Sequence, residues 1–244
     1  MSSFLLSLQF LTIVPLGMKE ADEKHLAGAA AYFPFVGLLL GLALAGIGAL
    51  LGMLNFPALA SGVILVVAWV GITGGMHLDG LADTADAFLS ARPKEEMLKI
   101  MRDPHVGVMG VVSLISLMLL KVSLLVGLGL APARTTGLLL SCVLSRWSAV
   151  LAMFLFPYAR QEGKAKVFME GMEPGIVLFA SFTALIFSVA AWGLKGLLAF
   201  TVIAGFTCAS GRFIANRIGG ITGDTLGAVI ELTETLALCM VCLG

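Results

Sequence analysis

The sequence predicts an all-α polytopic membrane protein of about seven transmembrane helices, with a short N-terminal interfacial or re-entrant segment. Three observations carry this. Of 244 residues, 59% are hydrophobic and only 12% charged, with a mean hydropathy of +1.03, whereas a soluble domain is about 25% charged. The apolar residues gather into runs close to the roughly 20 residues that a helix needs to cross a bilayer. The charges are confined to a few short loops, so a formal net charge of zero conceals strong segregation. That balance offers no basic footprint for a nucleic acid.

The elements follow in chain order. Residues 4–16 are apolar but too short to span. No basic region precedes them and no small-residue cleavage pattern follows, which argues against a secretory signal. Between Gly28 and His77 the only titratable side chain is Tyr32, and Asn55-Phe56-Pro57 interrupts the run. The stretch is therefore expected to be a hairpin of helices at about 32–54 and 57–76. Further helices are expected at about 107–130, 135–157, 174–194, 196–211 and 226–243, the sixth being short for a full crossing. Helices satisfy their own backbone hydrogen bonds in lipid, which favours them here. Pairs such as Gly37/Gly41 and Gly71/Gly75 would let helices approach closely. Cys142, Cys208, Cys239 and Cys242 all fall in apolar segments and are expected to be buried free thiols, since Cys239-x-x-Cys242 has no second pair. No repeat or linker divides the chain, so residues 1–244 are taken as one membrane domain.

Charge orients the bundle. Alternate loops place Lys19, Lys24, Arg92, Lys94, Lys99, Arg102, Arg160, Lys164, Lys166, Arg212 and Arg217 on one side, against Arg134 and Lys195 on the other. Eleven against two makes the first side cytoplasmic, with the N-terminus inside and Gly244 outside. Every acidic residue falls on the cytoplasmic side or in the cytoplasmic half of a helix. A site would be built there.

The densest chemistry is Gly74-Gly-Met-His-Leu-Asp-Gly-Leu-Ala-Asp-Thr-Ala-Asp-Ala87. At about 100° per residue, Asp79, Asp83 and Asp86 share a sector of roughly 60°. Three carboxylates so placed repel one another unless a cation sits among them, and hard oxygen donors suit Mg²⁺ or Mn²⁺ shared with substrate phosphates. The plain alternative is a solvated acidic helix end. Asp224, Glu231 and Glu234 form a second acidic group. Asp224 can cap the last helix, but Glu231 and Glu234 lie about 10 and 15 Å into it, where carboxylates face a cavity or a partner. Lys121 and Arg146 also lie at membrane depth; they either pair structurally, for instance Arg146 with Glu234, or line a site for an anionic group. In Met101-Arg-Asp-Pro-His-Val-Gly-Val-Met-Gly110, Gly107 and Gly110 suggest a tight turn, with Arg102 and His105 as phosphate contacts or a charged cap. Arg160 and Lys164 are basic loop residues with the same two readings. His77 is a ligand, a proton carrier or an interfacial side chain, and His25 carries little signal.

The string His77-Leu-Asp-Gly-Leu-Ala-Asp-Thr-Ala-Asp-Ala87 closely resembles the signature of the cobalamin synthase (adenosylcobinamide-GDP ribazoletransferase) family. Met101-Arg-Asp-Pro-His-Val-Gly107, Phe156-Pro-Tyr-Ala-Arg160 and Thr222-Gly-Asp-Thr-Leu-Gly-Ala228, with Glu231 following, are similar to that family too. The resemblance extends from Phe10-Leu-Thr-Ile-Val-Pro15 to the last helix. Pro104 departs from it, where a small polar residue is more usual. The resemblance implies a multi-pass, Mg²⁺-dependent enzyme of the last stage of vitamin B12 assembly, in the cytoplasmic (inner) membrane of a prokaryote. It implies joining α-ribazole, or its 5′-phosphate, to adenosylcobinamide-GDP with release of GMP. On that reading Asp79, Asp83, Asp86 and Asp224 hold metal. Glu231 or Asp86, and after them His77, accept the hydroxyl proton. Arg102, Asp103, Lys121, Arg146 and Arg160 hold substrate. The expected partners are those substrates and the bilayer, with a homo-oligomer admitted and no nucleic acid.

Two rivals predict other chemistry. A CDP-alcohol phosphotransferase wants an arginine in the interval that here runs Asp79-Gly-Leu-Ala-Asp-Thr84, which has none. A secondary transporter would use Glu231, Glu234 and Lys121 as a coupling pathway, leaving the cytoplasmic aspartates without a role.

Overall fold

The computed structural model describes residues 3–16, 23–129 and 132–244, the side chains of residues 23–25 and 164 excepted. Lys19, and the side chains of Lys24, His25 and Lys164, thus lie outside the described residues. The described chain folds as α1 (Ser3–Leu11), α2 (Glu23–Ala29), a 3-10 turn (Ala30–Tyr32), α3 (Phe33–Met53), α4 (Ala58–Thr73) and α5 (Met76–Leu89). It continues through α6 (Lys94–Ile100), α7 (Val108–Gly127), α8 (Ala133–Leu155), α9 (Lys164–Glu170), α10 (Pro174–Trp192), α11 (Leu194–Ile218) and α12 (Gly223–Leu243). Among these, six helices are long and apolar enough to cross a membrane alone, or seven if the bent pair α4 and α5 counts as one span.

Two boundaries differ from the sequence expectation. The run that begins at Ala58 does not continue straight into the aspartate string. Gly74 and Gly75 adopt φ of +67° and +69°, a left-handed pair that side chains resist and glycine tolerates. The chain bends there by 94°. The sixth crossing, expected to be short at 196–211, is the 25-residue α11. Its last turns carry the exposed Arg212, Asn216 and Arg217, and a helix can run on past its apolar stretch.

Helix α8 is the axis of the bundle. It packs against α3, α10, α11 and α12, and 78% of its apolar window is buried, against 22% for α7 and for α10. Those outer helices turn Val111, Ile115, Leu119, Phe182 and Ile186 outward, as a lipid-facing surface should. Gly37 and Gly41 sit directly on the α8 backbone at Cys142 and Leu138, so any side chain there would push the helices apart. The companion pair differs: Gly71 faces open space, and Gly75 serves the bend. All four cysteines are free, but only Cys142 is buried; Cys208 and Cys242 are exposed and Cys239 is half-buried.

At one end of the bundle Lys195 Nζ donates to the Gly244 carbonyl at 2.5 Å, and Arg134 donates to Ser61 Oγ at 3.0 Å. The opposite end gathers most of the loop charges. There α5 crosses the start of α12, with Gly80 against the Asp224 backbone and Gly227 against that of His77. A short parallel bridge ties Tyr158 to Ile221, with Ala159 N–H donating to the Ile221 carbonyl and Ile221 N–H to that of Pro157, both at 2.8 Å.

Candidate active site

These contacts bring three predicted residues together. Asp79 stands in the first turn of α5, Asp224 in the first turn of α12, and Arg160 two residues beyond the bridged Tyr158. Arg160 pairs with Asp224 at 2.7 Å. The expected capping role of Asp224 is taken instead by Thr222 and Thr225, which form a reciprocal capping box at 2.8 and 3.2 Å. With the helix end satisfied by hydroxyls, the Asp224 carboxylate is left for the site.

Asp79, Asp224, Arg160, Tyr158 and His77 line a cavity of about 240 Å³ at this end of the bundle. Its remaining wall is apolar, formed by Phe10, Leu11, Phe33, Met153, Phe168 and Ile230 among others. Burial pushes the Tyr158 phenol above its ordinary pKa. His77 is buried, and its Nδ1 has no hydrogen-bond partner. Asp83, one turn beyond Asp79, lies in the field of Asp79, Asp224 and Asp86, with Arg160 opposing.

The expected metal set does not close as a preformed cage. Among the described residues no three Asp, Glu, His or Cys side chains converge on one point. Asp86 is the reason on one side: its Oδ2 accepts from Gly107 N–H at 2.7 Å and its Oδ1 from Gly110 N–H at 2.8 Å. It anchors the start of α7, where a negative charge meets the positive end of the helix dipole. The two glycines are explained by the same contact. A Cβ at either would overlap the Asp86 carboxylate, and this, not the expected tight turn, is what needs them.

Four other expected residues lie elsewhere. Lys121 Nζ donates to Glu231 at 2.6 Å and also to Glu234, while Arg146 pairs with Glu234 and donates to Ser145 Oγ at 2.9 Å. Lys121 also sits 4.7 Å from the centre of the Trp69 ring. All four charged side chains are almost wholly buried, and none lines this cavity. Two cations and two anions thus neutralise one another, the arrangement that buried charges require. Glu231 therefore does not face the cavity as a base, nor do Lys121 and Arg146 face it as anion ligands. Asp103 serves its own loop: Oδ1 accepts from the His105 N–H at 2.9 Å and lies 2.7 Å from His105 Nδ1, which holds its carboxyl below the ordinary carboxylate range. Arg102 is exposed on the same face, outside the cavity wall.

Sequence reasoning missed the aromatic wall. Phe10, Phe33 and Phe168 come from α1, α3 and α9, and nothing in their spacing links them.

Comparison with known proteins gives these positions a context. The family model described as cobalamin-5-phosphate synthase matches residues 3–242. A protein of Roseiflexus sp. (strain RS-1), named adenosylcobinamide-GDP ribazoletransferase, is 39% identical over 239 residues, covering 98% of this chain and 88% of its own. Proteins of the same name from Desulforamulus reducens and Chlorobium phaeobacteroides are 38% and 40% identical, covering 100% and 97% of this chain and 97% and 95% of theirs. No solved structure matches the chain.

Proposed function

This chain belongs to the cobalamin-5-phosphate synthase family, and from that premise we propose how its site carries out an adenosylcobinamide-GDP ribazoletransferase reaction. It is a multi-pass membrane transferase. The observation that carries the reading is the cavity at the charged end of the bundle, lined by Asp79, Asp224 and Arg160 together with an apolar wall.

In the proposed transfer, a ribose hydroxyl of α-ribazole, or of its 5′-phosphate, attacks the phosphorus on the cobinamide side of the diphosphate. The new O–P bond forms as the bond to the GMP oxygen breaks, and GMP leaves with that electron pair. Such transfers depend on positioning and charge neutralisation. Arg160, held beside Asp224, supplies a guanidinium to the diphosphate. His77 is the candidate base that borders the cavity, and the hydroxyl proton passes to it.

Asp79, Asp83 and Asp224 are the residues that would hold Mg²⁺ or Mn²⁺. Their oxygen donors and mutual repulsion fit a hard cation. Mg²⁺ takes one or two carboxylates plus substrate phosphates, so a closed cage of three is not needed. When bound, the ion neutralises charge on the diphosphate and on the departing GMP. The segregation of charge supports a cytoplasmic membrane location with this face toward the cytoplasm.

The test is to incubate membranes containing the protein with adenosylcobinamide-GDP, α-ribazole and Mg²⁺. GMP and a new corrinoid should accumulate together. Neither product, from membranes in which the protein is inserted, would overturn the reading.

A further inference from the structure

Three phenylalanines from three separate helices meet in the wall of the cavity. The Phe10 and Phe33 ring centres are 5.9 Å apart with planes only 15° from parallel, and Phe168 lies 4.6 Å from Phe10 and 5.7 Å from Phe33. Met153 on α8 and Ile230 on α12 face the same space. Close-packed interiors do not normally leave such a gap. A dry apolar cavity of about 150 Å³ already admits benzene, and this one holds about 240 Å³. Its polar lining comes from Asp79, Asp224, Arg160, Tyr158 and His77. The cavity thus has room for a flat fused ring laid against an aromatic wall.

We propose that the cavity walled by Phe10, Phe33, Phe168 and Met153 is the subsite for the aromatic base of the nucleoside acceptor. The proposal rests on the transferase reading above and adds which substrate enters the bundle. The donor offers two candidate groups. Its corrinoid is far larger than the cavity, and its guanine has a polar edge that would be stranded among phenylalanines, which disfavours burial. The benzimidazole base of α-ribazole is flat and mostly apolar. Entering base first, it leaves the ribose hydroxyls beside His77, Asp79 and Arg160, and the donor diphosphate approaches from the cytoplasmic side. Acceptor specificity is then set by an apolar wall that penalises purines, not by hydrogen bonds to the base.

Two variants test this in purified protein reconstituted into nanodiscs. Met153→Trp fills the space from α8, and Phe168→Leu removes one aromatic face while keeping an apolar side chain. Equilibrium binding of α-ribazole is measured without donor, with guanosine as competitor, and KM is measured for each substrate. Phe168→Leu should weaken α-ribazole roughly tenfold, the scale of a changed apolar pocket, with KM for adenosylcobinamide-GDP unchanged. Met153→Trp should abolish α-ribazole binding, and guanosine should compete poorly against wild type. Unchanged α-ribazole binding in Phe168→Leu, a shift confined to the donor KM, or guanosine competing as well as α-ribazole would each overturn the subsite. Wild-type turnover separates the two claims: turnover with indifferent variants sinks the subsite alone, whereas no turnover sinks the transferase reading and the subsite with it.

Discussion

His77 is buried on the cavity wall with its Nδ1 unpartnered, and a buried polar atom left unpaired costs about 1–3 kcal/mol. An imidazole bordering the cavity is placed to take a proton from a hydroxyl held there. His77→Ala is accordingly expected to lower kcat by about 10²–10⁴-fold while KM for adenosylcobinamide-GDP stays near wild type. Steady-state kinetics with near-wild-type kcat would remove His77 from the chemistry. The buried ion network predicts the opposite pattern. Glu234→Gln leaves Lys121 and Arg146 without their shared anion and is expected to cost about 3–5 kcal/mol, read as a fall in unfolding temperature in detergent. Glu231→Gln should also destabilise, with kcat of the folded fraction little changed. If it unfolds like wild type yet turns over at about a hundredth of the rate, Glu231 is the base after all. All of these residues were legible in the sequence as charges or rings at membrane depth. Their partners were not, because pairing depends on how α7, α8 and α12 are rotated against one another. An intramembrane Glu looks the same in sequence whether it meets a substrate or a lysine.

Helices announced themselves well, since a run of some 20 apolar residues has few alternatives in lipid. What connects and turns them did not. The right-angle bend at Gly74 and Gly75 was invisible as a direction, although the Gly-Gly pair was in plain view. It is the bend that swings Asp79 over the start of α12. Replacing Gly74 by Ala forces a side chain into a left-handed backbone, a cost of about 1–2 kcal/mol, and sets its Cβ against Ile13. Such a variant should insert yet lose most of its turnover; full activity would show that the bend does not position the aspartates. The Asp86 anchor makes a second prediction at this scale. Gly110→Ala drives a methyl into the Asp86 carboxylate and should loosen the start of α7, costing about 1–3 kcal/mol. Hydrogen exchange confined to residues near 107–112 would report it. The Gly-Val-Met-Gly spacing was readable, but its cause lay 24 residues upstream in Asp86.

At the scale of the whole molecule, the two most buried long helices carry the charges that matter and the outer ones carry almost none. Helix α8 holds Arg146, and α12 holds Asp224, Glu231 and Glu234. The lipid-facing helices α7 and α10 contribute a single buried charge, Lys121, which points inward. This division lets the bundle keep a neutral ion cluster at membrane depth while opening its cavity at one end. The same end collects Asp79, Arg160, Asp224 and the exposed Arg92, Lys94 and Arg102, and the other end keeps Arg134 and Lys195. An asymmetry of this kind fixes orientation during insertion, because basic residues near helix ends are retained in the cytoplasm. It therefore predicts which compartment must supply both substrates. In a background lacking the four native cysteines, a single cysteine replacing the exposed Glu95 should react with a membrane-impermeant maleimide only in inverted vesicles. One replacing Phe56, in the loop between α3 and α4 at the opposite end, should react only in intact cells. The reverse pattern would place the cavity outside, where a nucleotide-activated substrate has no source, and would overturn the cytoplasmic reading of the whole site.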